Sequence, residues 1–184
     1  MSDYQLYDEN TAPQQSRQTL QQVKGKYGFV PNLMAIMAES PSLLKAYATI
    51  SQIFEETSFS DTEKQLVLLA VSHENTCHYC MAAHSTEAQM KKVPATIIEA
   101  LRDGHPLPDK KLEALRQFVR TVVINRGHAK ETEVKAFLDA GYTRAQIFDV
   151  LVGVGMKTLS NYTNHIADTP LDMAFQPQAW KKAS

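Results

Sequence analysis

The sequence is poor in cysteine and has no surplus of either charge. Only two of its 184 residues are cysteines, which is too few for a disulfide-stapled scaffold, so we expect a reducing, cytoplasmic setting. Lys and Arg together number 19 and Asp and Glu together 20, which gives a net charge of −1. Because nucleic-acid-binding proteins usually carry a basic excess, nucleic acid is not an expected partner.

Long hydrophobic runs are missing too. No apolar stretch approaches the roughly 20 residues that cross a bilayer, so no membrane association is expected. The N-terminal segment is polar and lacks the basic and apolar regions of a secretory signal, so we expect none. With 43% hydrophobic and 21% charged residues, the composition is that of an ordinary globular protein, and we expect residues 1–184 to form one domain.

Strand patterns are absent, whereas helix signals recur along nearly the whole chain. Ser60 with Glu63, and Thr143 with Gln146, form capping boxes that predict two helix starts. Apolar spacing, prolines and glycines then predict an all-α bundle of about seven or eight helices. The predicted segments are a polar arm (1–13), helices over 14–26, from Pro41, 61–73, 77–92, 95–102, 108–126, 131–140 and 144–166, and a polar tail (172–184). Residues 61–92 form the predicted core hairpin.

A weak internal repeat is superimposed on this pattern. Two T-x-x-Q motifs, which begin at Thr62 and Thr143, stand 81 residues apart, and the same offset relates His84 to His165. Few positions match, so chance is an alternative explanation. The repeat predicts two pseudo-equivalent helical hairpins packed together.

Cys77, Cys80 and His84 form a C-x-x-C-x-x-x-H motif at a predicted helix start. Residues i and i+3 at that position have Cα atoms about 5–5.5 Å apart, which a disulfide can span. A first-turn cysteine lies at the positive end of the helix dipole, which lowers its pKa and favours the reactive thiolate. His84 lies on the same face, one turn after Cys80, and can carry a proton to or from the thiol. The motif predicts a redox-active dithiol that needs no metal, haem or flavin.

Two other interpretations of the pair stay open. Cysteine is among the most buried residue types, so both thiols could be inert core residues. Together with His84 they could also supply three of four zinc ligands. Three histidines are candidates for the fourth ligand: His73, His78 and His165. A c-type haem is excluded because Met81 stands where that motif requires histidine.

The run from Gln65 to His84 resembles the AhpD-type alkylhydroperoxidases of the carboxymuconolactone decarboxylase-like superfamily. The likeness is tight around the motif and looser over 30–170, and the Asn-Tyr-x-Asn-His ending is most similar to the "peroxidase-related" branch. The resemblance implies an all-α homo-oligomer (a dimer, trimer or hexamer) that reduces peroxides with two cysteines, a histidine and a glutamate.

The resemblance also implies a role for each position. Cys80 would attack the peroxide O–O bond and become a sulfenic acid, and Cys77 would resolve it as an intramolecular disulfide. His84 would belong to a proton relay. The family's relay glutamate stands twelve residues before the first cysteine, where this chain has Gln65. Glu74 is then the carboxylate expected to take its place.

Other positions bear on the reaction. Tyr79 stands where the family has a histidine, and His78 is one place off. The name-giving decarboxylase of the superfamily lacks the cysteine pair, which argues against lactone decarboxylation here. Since no third cysteine is present, turnover requires an external dithiol, a lipoyl group or a thioredoxin-like protein.

The sequence therefore leads to one expected function and two alternatives. The expected function is reduction of hydrogen peroxide or organic hydroperoxides. The first alternative is a thiol–disulfide oxidoreductase or redox sensor with little peroxide turnover, which the glutamine at Gln65 favours. The second is a non-enzymatic helical oligomer whose cysteine pair is inert or binds zinc.

Overall fold

The computed structural model describes residues 3–182, and all regular structure in that range is helical. The α-helices are α1 (Gln14–Tyr27), α2 (Asn32–Met37), α3 (Pro41–Glu55), α4 (Asp61–Glu74), α5 (His78–Met90), α6 (Ala95–Asp103), α7 (Lys110–Ile124), α8 (Glu131–Asp139) and α9 (Arg144–Ala167). A 3₁₀ helix follows at Met173–Gln178. The all-α prediction is confirmed, and the helix count within the described range is close to the seven or eight expected. The first two residues of the predicted arm and the last two of the predicted tail lie outside the described residues.

Local side-chain chemistry sets the main helix starts. Ser60 Oγ accepts a hydrogen bond from the backbone N–H of Glu63, and the Glu63 carboxylate accepts one from the backbone N–H of Ser60. Thr143 and Gln146 make the same reciprocal pair at the start of α9. Both predicted capping boxes therefore form, and they fix the first turns of the helices that frame the site.

Two helical segments were not predicted. The first is α2, which has only six residues, five of them buried, and is too short to show a helical period. The second is the 3₁₀ helix, which lies in the segment expected to be a polar tail. Asp172 and Phe175 in this segment are buried, and the 3₁₀ helix packs against α5. The tail is therefore part of the packed structure up to the last described residues.

The positions paired by the predicted repeat differ in their surroundings. Thr62 is the second residue of α4, whereas Thr143 precedes α9 as its N-cap. His84 is buried, whereas His165 is exposed beside a tyrosine ring. The two halves therefore share a capping device but not equivalent histidines.

The centre of the bundle is α4, which packs against α5, α6, α7 and α9. Ten of its fourteen residues are buried, as its apolar surface predicted. α9 approaches closely at Gly153, where an added Cβ would lie 2.8 Å from both the Phe54 ring and a Val67 methyl group. α4, α5 and α9 thus form a tightly packed frame. None of the helices within residues 3–182 is long and apolar enough to cross a membrane.

Candidate functional site

The two cysteines lie at the start of α5, between that helix and α9. Cys77 is the N-cap residue and Cys80 is in the first turn; both are free thiols, with exposed fractions of 0% and 2%. The side-chain amide Nδ2 of Asn164, on α9, lies 3.2 Å from Sγ of Cys80 and 3.7 Å from Sγ of Cys77. Ser160 Oγ, also on α9, lies 3.8 Å from Sγ of Cys80. α9 therefore brings polar groups to both sulfurs within an apolar interface.

The two thiols differ in acidity. Burial would raise the pKa of Cys80, but the hydrogen bond from Cys77 and the positive charge of Lys157 outweigh burial and hold that pKa well below its ordinary value. The same hydrogen bond to Cys80, together with burial, raises the pKa of Cys77. The pair therefore keeps its shared proton on Cys77, and Cys80 is the more acidic of the two thiols.

A chain of polar side chains runs from Cys80 toward the surface. Lys157, on α9, is fully buried, and its Nζ lies 2.8 Å from Nε2 of His84. Nδ1 of His84 lies 3.0 Å from Oε2 of Glu87, whose side chain is 30% exposed. Because an ammonium group only donates, Nε2 of His84 accepts and Nδ1 carries the hydrogen to Glu87. Burial would raise the pKa of Glu87, but His84 and the charge of Lys157 hold it below its ordinary value.

Sequence analysis missed three members of this site. Lys157 is the one charged residue in the apolar run 150–159, which was the available signal for a buried role. Glu87 stands three residues after His84, the spacing at which two helical side chains meet. Asn164 belongs to the Asn-Tyr-x-Asn-His ending, but nothing in that motif tells which residue it contacts.

The carboxylate expected in the relay, Glu74, is directed elsewhere. Arg120, on α7, donates from Nε to Oε1 of Glu74 at 2.6 Å, and Nδ1 of His73 lies 3.6 Å from the same oxygen. The contact with His73 and the hydrogen bond from Arg120 outweigh burial and lower the pKa of Glu74 to about 2. Glu74 therefore links α4 to α7, and the carboxylate beside His84 is Glu87.

Gln65 occupies the family's glutamate position in the middle of α4. Its exposed fraction is 0%, and neither Oε1 nor Nε2 has a hydrogen-bond partner among the described residues. A buried amide without partners opposes folding. The structure therefore places Gln65 deep in the bundle without showing a bond to either sulfur.

The C-terminal segment covers the first turn of α5. The hydroxyl of Tyr79 donates to Oδ2 of Asp172 at 2.5 Å and accepts from the backbone N–H of Leu33 at 3.3 Å. Nδ1 of His78 lies 3.1 Å from the carbonyl oxygen of Trp180. Tyr79 and His78 thus attach the segment to the cysteine helix, and neither is part of the polar chain at Cys80.

A zinc ligand set is not assembled. The rings of His73 and His78 lie against Trp180, with centroid distances of 5.8 and 5.5 Å. His165 is exposed and stacks beside Tyr162. In the part of the chain that the structure describes, no group of three or more His, Cys, Asp or Glu residues could hold a metal ion. The geometry therefore does not support a zinc-bound pair.

Comparison with known proteins agrees with the fold. Residues 41–116 match the model of the carboxymuconolactone decarboxylase family. An uncharacterized peroxidase-related protein from Ralstonia eutropha JMP134, described as an alkylhydroperoxidase AhpD core, has a TM-score of 0.83 at 22% identity, covering 95% of this chain and 94% of that chain. A peroxidase-related protein from Silicibacter sp. TM1040 has a TM-score of 0.80 at 19% identity, covering 96% and 93%. The debrominase Bmp8, solved with 2,3,4-tribromopyrrole, has a TM-score of 0.72 at 16% identity and 97% coverage of both chains. No curated protein sequence matches.

Residues 41–116 thus match the carboxymuconolactone decarboxylase family, and the chain as a whole shares the fold of AhpD-like, peroxidase-related proteins. The matched segment contains Cys77, Cys80, His84 and Glu87, whereas Lys157 and Asn164 lie outside it. The resemblance found in the sequence is confirmed by this family match and by the shared fold. This superfamily is one of enzymes, and the debrominase indicates that its fold serves more than one reaction.

Proposed function

We propose that the chain is a thiol-dependent peroxidase that reduces hydrogen peroxide or organic hydroperoxides. The observation that carries the proposal is the unequal cysteine pair: Cys80 has a lowered pKa, and Cys77 beside it keeps its proton. A low-pKa thiol is the nucleophile that attacks an O–O bond, and an adjacent protonated thiol is what resolves the product.

The cycle uses only the two sulfurs as electron carriers. The Cys80 thiolate attacks the terminal peroxide oxygen, the O–O bond breaks, and Cys80 becomes a sulfenic acid while an alcohol or water leaves. The Cys77 thiol then attacks the Cys80 sulfur, releases water and leaves an intramolecular disulfide. An external dithiol reduces that disulfide and returns both electrons.

Burial of the sulfurs bears on the substrate and the reductant. Exposed fractions of 0% for Cys77 and 2% for Cys80 favour small reactants over a folded protein disulfide. This argues against a general thiol–disulfide oxidoreductase. For the same reason we expect a slender reductant, such as a lipoyl arm, to be more effective than a thioredoxin-like protein.

The inert interpretation of the pair accounts for the burial but not for its neighbours. An inert pair needs only apolar packing, yet Lys157 lies fully buried beside Cys80 and His84. Burying an ammonium group is costly unless an anion accompanies it. The lysine therefore supports a charged, reactive Cys80.

Self-association is a further part of the proposal and follows from the superfamily resemblance. The outer face of α9 carries an exposed apolar stripe that a second copy would cover: Phe148 (66% exposed), Leu151 (44%), Tyr162 (55%) and Ile166 (73%). Light scattering after size exclusion should give a molar mass that is a multiple of the 20.6 kDa chain, and Ile166→Asp should lower that mass. A stable wild-type monomer would contradict the proposed self-association but not the proposed peroxidase activity.

Peroxide consumption with a small dithiol tests the proposed reaction. Wild type should turn over, Cys80→Ser should not, and Cys77→Ser should turn over more slowly, because the external dithiol must then reduce the Cys80 sulfenic acid itself. His84→Ala should be slowed, and the exposed histidine in His128→Ala gives a matched control with the wild-type rate. Equal consumption by wild type and Cys80→Ser would disprove the function.

A further inference from the structure

Lys157 is a buried cation that lacks a carboxylate partner. Its exposed fraction is 0%, and it forms no salt bridge with any Asp or Glu of residues 3–182. Lys64, the other buried lysine, lies on α4 and pairs with Glu55. A buried ammonium group without an anion is strongly unfavourable, so Lys157 needs an anionic neighbour or must lose its proton.

The candidate anion is the sulfur of Cys80. Nζ of Lys157 lies 2.8 Å from Nε2 of His84, and its positive charge lowers the pKa of Cys80. Lys157 stands one turn of α9 before Ser160, whose Oγ lies 3.8 Å from Sγ of Cys80. Two phenols also face Cys80, Tyr47 from α3 and Tyr79 from α5, and burial raises the pKa of both, so they stay neutral. Glu87 also interacts electrostatically with Lys157, but the imidazole of His84 lies between them, so the Cys80 sulfur is the compensating anion that we assign to Lys157.

We propose that Lys157 is the counter-ion of the Cys80 thiolate and the acid that protonates the leaving oxygen when that thiolate attacks a peroxide. The counter-ion role concerns the resting protein, whereas the acid role rests on the proposed peroxidase function. Lys157 is thus assigned a catalytic role, since its proton goes to the leaving oxygen in this step. The resemblance gave it no role.

The first step balances with Lys157 as the proton donor. The Cys80 thiolate forms an S–O bond to the terminal oxygen of ROOH, the O–O bond breaks, and the Lys157 ammonium gives one proton to RO⁻. The products are the Cys80 sulfenic acid, ROH and a neutral Lys157 amine. No net charge remains in the buried site, which is the condition that its apolar surroundings favour.

The polar chain to Glu87 supplies the route by which Lys157 regains its proton. His84 lies between Lys157 and Glu87, with contacts of 2.8 Å and 3.0 Å, and the Glu87 side chain is 30% exposed. A proton can therefore pass from solvent to Glu87, through the imidazole and on to the amine. When an external dithiol returns Cys80 to the thiol, the thiol proton leaves through the same polar chain in the opposite direction, which restores the ion pair.

The test is the pH dependence of iodoacetamide alkylation at Cys80, which involves no peroxide. The tryptic peptide 65–91 contains both cysteines, and fragmentation assigns the alkylated one. In wild type the rate at Cys80 should be flat between about pH 6 and pH 8. In Lys157→Met it should fall at least about 30-fold at pH 7 and rise with pH, because an ordinary thiol is only a few per cent ionised there. The control Lys64→Met, whose corresponding tryptic peptide is 46–91, should keep the wild-type profile.

Lys157→Arg separates the two roles, because arginine keeps its charge but does not release a proton. Its alkylation rate should stay within about threefold of wild type, while peroxide reduction falls at least tenfold. A wild-type alkylation profile in Lys157→Met would overturn the counter-ion role, and wild-type peroxide reduction in Lys157→Arg would overturn the acid role.

If neither variant folds, the ultraviolet absorbance of the thiolate in wild type tests the counter-ion role. We expect one thiolate per chain at neutral pH, and the absence of a thiolate would overturn the proposal. A thiolate without peroxide consumption would instead reject only the peroxidase function.

Discussion

Gln65→Met should stabilise the protein. The substitution keeps the length of the side chain and removes two buried polar atoms, Oε1 and Nε2, that have no partner among the described residues. Because each unsatisfied buried group costs about 1–3 kcal/mol, an increase of roughly 1–3 kcal/mol in the free energy of unfolding is expected. For a chain of this size, each kcal/mol raises the melting temperature by about 2–4 °C.

Thermal and urea unfolding of the reduced protein, followed by circular dichroism, measure this change. Gln22→Met is a matched control on the exposed face of α1 and should change stability by no more than about 0.5 kcal/mol. A loss of more than 1 kcal/mol in Gln65→Met would refute the reasoning, because it would mean that the amide is hydrogen-bonded in solution. Stabilisation with slower peroxide reduction would instead indicate that this amide serves the reaction.

Three further substitutions test the frame around the site. Glu74→Gln should cost about 0.5–1 kcal/mol at pH 7, because it weakens the partly exposed ion pair with Arg120. Folding depresses the pKa of Glu74 from 4.5 to about 2. The difference in the free energy of unfolding between wild type and Glu74→Gln should therefore be complete above about pH 4.5 and vanish as the pH falls toward 2 in acid unfolding. Tyr79→Phe should cost about 1–3 kcal/mol and make the C-terminal segment more sensitive to limited proteolysis, because Asp172 loses a buried donor. Gly153→Ala should cost about 1–3 kcal/mol in urea unfolding, because the added Cβ would lie 2.8 Å from core side chains; wild-type stability would contradict that close approach.

Local sequence signals predicted the frame of the site well. The capping box at Ser60 and the apolar surface of α4 are properties of neighbouring residues, and so is the position of Cys77 and Cys80 at the start of α5. The i to i+4 spacing likewise placed His84 on the face of Cys80. Such features depend on one helix at a time, which is why they can be derived without knowing how helices pack.

The other half of the site comes from α9 and could not be derived in the same way. Lys157 and Asn164 lie more than 70 residues after the cysteines, and only the crossing of α9 over α5 brings them together. Glu74 seemed the natural carboxylate because it is close to Cys77 in sequence. The last turn of α4 instead directs the Glu74 carboxylate toward Arg120 on α7. The carboxylate that contacts His84 is that of Glu87, one turn further along α5.

Two structural elements escaped prediction for different reasons. α2 is too short for a period to be read, and its ends carry no side-chain cap. The C-terminal segment looked solvated because polar residues recur along its last nine positions: Gln176, Gln178, Lys181, Lys182 and Ser184. A few anchors, Asp172, Phe175 and Trp180, nevertheless attach it to α5 through contacts whose partners lie far away in sequence.

The central claim is that Cys80 attacks peroxide and Cys77 resolves it, and intact mass spectrometry tests this most directly. Reduced protein is mixed with one equivalent of hydrogen peroxide in the absence of any reductant. The account predicts a chain lighter by two hydrogen atoms, with no free thiol and a Cys77–Cys80 disulfide in peptide 65–91. An unchanged mass with two free thiols, or a Cys80 sulfinic acid beside a free Cys77, would contradict it.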